Sequence, residues 1–410
     1  MNRQVSALMF IVSMFIVMLL LILAAKTYSS SSGMPATEWS KTYGGAGDDS
    51  ALSVVWTSDR GYVIAGHTES YGAGGSDFWL VKTDSSGSLE WNKTYGGPSD
   101  DFARSVVQAD DGGYAITGFT KSYGAGDDFD FWLVKTDSSG NRLWSKTYGE
   151  GSQAFSLIQT NDGGYAITGD HFVLVKTDTY GNKEWSQTYG AAGSAYSWCL
   201  IETSDGGYAI TGGCQLVDEE WNDFWLVKTD SLGNMEWNRT YGRSGDDFAY
   251  SLVQTNDGGY AIAGRTGYNY DSPDYDFWLV KTDANGHVEW NKTYGRTDND
   301  RAYSVLQTSD GGYALVGRSH FWGFEHGNSS DVWFIKVDRS GDAQWNKTFG
   351  GADWDWAWSF VQISDGSYTI AGHTKSYGAG GDDFWLFRVA ALTHEFDVVI
   401  EDIHYGARVR

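Results

Sequence analysis

The stretch "DFWLVKTDSSGSLEWNKTYGG", Asp77–Gly97, is written again with few changes as "DFWLVKTDSSGNRLWSKTYGE", Asp130–Glu150. Its opening residues do not alternate with polar ones. Phe78 and Leu80 point to one side of an extended chain, and Trp79 and Val81 point to the other. A strand that is apolar on both faces must be covered on both faces. The Asp-x-x-Gly that follows is a turn, because Asp bonds its own backbone and Gly takes positive φ. A second strand then begins around a Trp. That Trp recurs as Trp39, Trp91, Trp144, Trp185, Trp237, Trp290 and Trp345, at spacings of 41 to 55 residues. Repeats of this length are the size of a small sheet that buries its faces only by stacking on its neighbours.

Each unit divides into four runs separated by turn signals. In the second unit these are "ARSVVQ" (Ala103–Gln108), "YAITG" (Tyr114–Gly118), "FWLVKT" (Phe131–Thr136) and "LWSKTY" (Leu143–Tyr148), here named strands A to D. Strands A, B and C occur seven times. The last C strand, "FWLFRV" (Phe384–Val389), has no D strand after it, while an extra D-type segment, "EWSKTYGG" (Glu38–Gly45), precedes the first A strand. The count implies an all-β, seven-bladed β-propeller of four-stranded blades, its last blade completed by the N-terminal strand. Closure of this kind leaves no free edge between the first and last blades. The short third unit keeps all four strands. Its deletion falls between B and C, where "GDHFVLVKTD" (Gly169–Asp178) leaves a tight turn.

The block Asp-x-x-Gly-x-x-x-Trp, as in Asp84/Gly87/Trp91 and Asp137/Gly140/Trp144, resembles the tryptophan-docking motif of quinoprotein-like β-propellers. The likeness runs over residues 38–390. The fuller pattern "WNKTYGG…SDGGYAI.G…DFWLVKTD..G" looks like the repeat of secreted or surface-anchored archaeal and bacterial propeller proteins. The resemblance implies the propeller and a position outside the cytoplasm. It stops short of the quinoprotein active site. Eight blades and an adjacent Cys–Cys pair are typical of that family and are not found here, so a bound quinone is not expected.

Composition sets further bounds. The 410 residues include 53 Gly and only 3 Pro, and 16% are aromatic, which suits strands joined by tight turns. A net charge of −24 argues against a nucleic-acid partner, which would need a basic footprint. Residues 1–25 carry an apolar run from Ala7 to Ala25 after Arg3. It is long enough for a transmembrane signal anchor, and a cleaved signal peptide is the alternative. Residues 26–37 form a Ser-rich tether, 38–390 the propeller, and 391–410 either a β-like tail or the start of another module. The expected location is the cell membrane, facing outward, or the medium if the leader is cleaved.

Chemistry is less legible. "GDD"-type loops between strands D and A, such as Asp48/Asp49 and Asp100/Asp101, are either Ca²⁺ ligands or turn caps copied with the repeat. No other cofactor is expected. Cys199 and Cys214 fall in one blade, either as a disulfide or as two buried thiols. N-x-[ST] sequons occur at Asn92, Asn238, Asn291, Asn328 and Asn346.

The repeats differ most in the B–C loops of units four to six and in one D–A loop. These add Trp221, Tyr268, Tyr270, His320, Trp322, Trp354 and Trp356 on one face of the ring. Aromatics in variable loops on a rigid scaffold suit a glycan or a protein segment. His67, Arg265, Arg318 and His373 follow the strand-B glycine and fall near the channel rim on that face, where they can hold an anionic group. The expected function is a membrane-anchored extracellular binding module for glycan or protein. The alternatives are a polysaccharide-active hydrolase or lyase, or a passive cell-envelope element. No catalytic constellation is singled out.

Overall fold

The computed structural model describes residues 35–124, 128–149, 152–190, 195–215, 221–243, 245–268, 274–295, 299–323 and 327–391. The apolar segment 1–25, most of the tether and the tail beyond Ala391 lie outside these residues. Among the described residues, no helix is long and apolar enough to cross a membrane. Pro35–Ala391 forms one compact unit.

Seven antiparallel four-stranded sheets follow one another along the chain. Blade 1 is Asp49–Trp56, Tyr62–Thr68, Asp77–Thr83 and Leu89–Tyr95. Blade 7 is Asp355–Gln362, Tyr368–Thr374 and Asp383–Val389, and its outer strand is Thr37–Tyr43 from the other end of the chain. The closing pair runs antiparallel, with Trp39 opposite Arg388 and Tyr43 opposite Phe384. Side chains reinforce it. The Arg388 guanidinium lies 2.8 Å from Glu38, and Trp385 Nε1 donates to Ser40 Oγ at 2.7 Å.

The apolar C strands are buried on both faces because each lies between two neighbouring sheets. Phe78 packs 4.5 Å from Trp132 of blade 2, while Trp79 packs 4.4 Å from Phe384 of blade 7. The core accordingly consists of seven clusters, each shared by two adjacent blades.

The recurring Trp has a defined partner. Gly87, at φ +73°, sits under the Trp39 ring so closely that a Cβ there would lie 2.8 Å from Cζ3. The same contact joins Trp91 to Gly140, Trp144 to Gly181, Trp185 to Gly233, Trp237 to Gly286 and Trp290 to Gly341. A Tyr four residues further along each D strand donates its hydroxyl to that glycine's carbonyl, as Tyr95 does to Gly140 at 2.6 Å. Trp345 departs from the pattern. Blade 7 has no C–D turn, because its D strand comes from the N-terminus. Trp345 packs edge-on to Phe334 instead, and its strand carries Phe349 where the others carry Tyr.

A buried lysine anchors the C strand of each of blades 1 to 6 near its end. Lys82 is 2% exposed and bonds Asp59 at 2.9 Å, Glu90 at 2.8 Å and the Thr83 carbonyl. Lys135, Lys176, Lys228, Lys281 and Lys336 repeat the pairing with a turn aspartate, and Arg388 takes this place in blade 7. Burial raises the pKa of these aspartates, but hydrogen bonds from Lys and Thr outweigh it. Asp162, Asp205, Asp257 and Asp310 are held at about 2.

Blade 6 departs from the loop expected in its sequence. Tyr313–Gly323 and Gly327–Val337 pair continuously, out to Trp322 opposite Asn328. The segment read as a variable loop is a hairpin extension, to which Phe321, Trp322, Val332 and Trp333 contribute strand-favouring residues.

Candidate functional site at the channel mouth

Every inner A strand carries a β-bulge at the middle residue of an Ala-x-Ser sequence or its equivalent. In blade 1 the register shifts between Ala51 and Ser53, and in blade 2 between Ala103 and Ser105. A bulge re-aims one side chain. Leu52, Arg104, Phe155, Trp198, Tyr250, Tyr303 and Trp358, one from each blade, line a central cavity of about 90 Å³. Phe155 stacks on Trp198 at 4.3 Å and Tyr303 on Trp358 at 4.1 Å, with Tyr250 between the two pairs.

The Ser of the motif ties the blades together. Val106 N–H donates to Ser53 Oγ at 3.2 Å, and Val54 N–H donates to Ser359 Oγ at 3.3 Å. Cys199 stands in this place in blade 4, 3.7 Å from the Leu252 carbonyl, with its thiol pushed up to about 11 by burial. Cys214 lies opposite Ala195 inside the B strand, and the two cysteines are not bridged.

The structure brings His67, Arg265, Arg318 and His373 to the layer above this cavity, together with Arg301, which the sequence reading missed. Burial, with Arg104 and His373 nearby, drops the His67 pKa to about 3. Burial and Arg318 drop His373 to about 4, against a small opposing effect of Asp48. Both imidazoles are therefore neutral at pH 7, and the positive charge belongs to the arginines. Trp358 Nε1 faces His373 Nδ1 at 3.3 Å. Arg265 lies 4.0 Å from the Tyr275 ring and 4.8 Å from Phe248, Arg301 lies 5.0 Å from the same Tyr275, and Arg318 lies 3.8 Å from Trp356. Burial lowers the Arg318 pKa and brings Arg104 to about 10.

Aromatic side chains lead outward from this layer. Trp356 neighbours Trp354 at 5.9 Å, and Trp354 meets His320 of the blade 6 hairpin at 5.8 Å. Trp354, Trp356 and Trp221 are all half-buried. Tyr268 and Trp322 lie on described strands, but their side chains fall outside the described residues, as does Tyr270 altogether.

The acidic D–A loops serve the fold. Asp49 accepts from Thr68 Oγ1, from Ser70 Oγ at 2.7 Å and from Gly45 N–H at 2.9 Å. Asp48 accepts from Asp382 N–H of the neighbouring blade at 3.0 Å. Among the described residues, no group of three or more His, Cys, Asp or Glu converges as a metal site would require. The sequon residues Asn92, Asn238, Asn291 and Asn346 each accept from the Nε1 of a C-strand Trp, at 3.2–3.3 Å. The repeated "WNKT" thus has a structural use.

No family model matches the chain. A stretch of 128 residues is 28% identical to the regulatory protein FlaEY of Caulobacter vibrioides, covering 28% of this chain and 13% of that one. The WD40 β-propeller domain of Doa1 is similar in structure, with a TM-score of 0.54 at 12% identity over 87% of this chain and 97% of that one. The Neurospora crassa Pan2 WD40 domain gives 0.53 at 11% identity over 84% and 89%, and Sqt1 of Chaetomium thermophilum gives 0.50 at 11% over 83% and 83%. At these identities the likeness concerns the fold alone: the chain is a seven-bladed β-propeller.

Proposed function

We propose that this propeller is a binding module that engages a glycan or a protein through the face formed by its B–C and D–A loops. It is either held outside a membrane by the apolar segment Ala7–Ala25 or released if that segment is cleaved. The observation that carries the reading is the aromatic path His320–Trp354–Trp356, half-buried and continuous with the channel mouth. A ring held by interblade Trp–Gly and Tyr–carbonyl contacts presents these side chains with little ordering left to lose on binding. Large rings on such a surface suit sugar faces and apolar peptide side chains alike.

The test is a glycan array and a cell-surface pull-down with the full-length chain, repeated with Trp354→Ala and Trp221→Ala. The reading expects a ligand whose capture falls about tenfold or more in Trp354→Ala, the loss of one aromatic anchor. Undiminished capture by both variants would remove this face from the function.

A further inference from the structure

We infer that the channel mouth between blades 5 and 7 is an anion subsite, built to take the carboxylate of an acidic glycan whose ring rests on Trp354 and His320. The inference rests on the binding reading above and names the chemistry of its ligand.

The protein carries a net charge of −24, yet Arg265, Arg301 and Arg318 stand near one another, and Arg104 lines the central cavity. The C-strand lysines and Arg388 are all ion-paired, but Arg104, Arg265, Arg301 and Arg318 form no ion pair among the described residues. The Nε of each of these four is buried without a hydrogen-bond partner among the described residues, and so are Trp198 Nε1 and Trp356 Nε1. Arg318 is only 9% exposed. Arg265 and Arg301 flank one tyrosine ring, which holds like charges close together. Leaving buried donors and like charges unsatisfied costs stability, and the cost falls when an anion enters.

Arg104 and Trp198, whose Nε and Nε1 have no partner among the described residues, line the cavity with Leu52, Phe155, Tyr250, Tyr303 and Trp358. Among the described residues, no carboxylate lines it. Its volume of about 90 Å³ suits a carboxylate with a water or two, since one water occupies about 30 Å³ of liquid. The aromatic side chains Trp354 and His320 lie outward of the cavity, so the sugar ring is placed there, with the acid directed toward the arginines.

The experiment is calorimetric titration of the full-length protein with oligogalacturonate and with the uncharged oligogalactoside of equal length. The acidic oligomer is expected to bind about tenfold or more tightly, the worth of one charge-assisted hydrogen bond, and rising salt should erase the difference. Arg318→Gln and Arg265→Gln should abolish the preference without lowering the melting temperature. Arg318→Lys, which keeps charge but not the flat stack on Trp356, should keep part of it. Equal affinities for the two oligomers would overturn the anion subsite while leaving the glycan-binding face in place. An acidic peptide binding where both sugars fail would overturn the glycan assignment. No binding of sugar or peptide would overturn the underlying reading as well.

Discussion

At the rim of the ring, Trp39, Trp91, Trp144, Trp185, Trp237 and Trp290 each cover the turn glycine of the next blade. At the centre, seven equivalent bulge positions are filled by five residue types: Leu52, Arg104, Phe155, Trp198, Tyr250, Tyr303 and Trp358. Both sets obey the same sevenfold geometry. The rim repeats its residues because six seams present the same neighbour, so one solution serves each time, and the seam between blades 6 and 7, which lacks the turn glycine, departs from it. The centre is a single shared space, where seven identical side chains would collide or leave a void. It is therefore free to be asymmetric, and asymmetry is what a ligand site needs.

The rim half of the comparison breaks most readily at the closing strand. Removal of residues 1–45 should expose the backbone edge of Asp383–Val389 and take away Trp39, the Glu38–Arg388 pair and the Tyr43 bond to Gly87. Trp39 alone accounts for about 3–5 kcal/mol. Removal of residues 1–34 should leave the melting temperature unchanged. Equal melting of the two truncated chains would contradict the closure. Trp91→Ala, at an interior seam, should cost about 3–5 kcal/mol by denaturant titration through the same contact with Gly140.

The centre should be the acid-sensitive half. His67 and His373 titrate near 6.5 in the unfolded chain, and at about 3 and about 4 in the folded one. Below pH 6.5 the unfolded chain binds protons that the folded chain refuses, so stability falls as pH falls. The slope approaches about 1.4 kcal/mol per pH unit for each histidine. The depressed aspartates begin to contribute only below about pH 4, as they protonate first in the unfolded chain. Thermal melts between pH 6.5 and 4.5 should therefore flatten in the His67→Gln/His373→Gln double variant, in which Gln still offers Trp358 an acceptor. A slope equal to the wild type would show that the imidazoles do not control this window.

A smaller effect sharpens the rim pattern further. Tyr95→Phe should cost about 1 kcal/mol by leaving the Gly140 carbonyl without its hydroxyl donor. Phe349→Tyr should gain nothing, because blade 7 has no turn glycine to receive it. A stabilising Phe349→Tyr would mean that this seam has an acceptor after all.

The same division explains what the sequence disclosed. The blades, the closing strand and the Trp wedge were legible because they are periodic, and Phe78 and Trp79 announced a strand covered on both sides. The proposed anion site was half legible. His67, Arg265, Arg318 and His373 follow the strand-B glycine and were found by position, but their burial, which neutralises the two histidines, is a tertiary fact. Arg104 and Arg301 escaped because they sit on A strands in which polar and apolar residues mix. For Arg104 the signal was the Ala-x-Ser frame, which marks a bulge, and its unrepeated middle residue; Arg301 stands one residue before that frame. The blade 6 hairpin was missed because an irregular "SHFWGFEHGNSSD" reads as a loop until its two halves are seen to pair.

The most direct test of this division is to measure melting temperature and oligogalacturonate affinity side by side in Arg318→Met and in Trp91→Ala. A buried unpaired charge destabilises, and its apolar replacement relieves that cost. Arg318→Met should therefore melt at or above the wild-type temperature and lose the acidic ligand. Trp91→Ala should melt well below it, and the fraction still folded should bind normally. If Arg318→Met instead unfolds the ring and keeps the ligand's affinity while folded, the centre is part of the scaffold, and the separation of rim from centre is wrong.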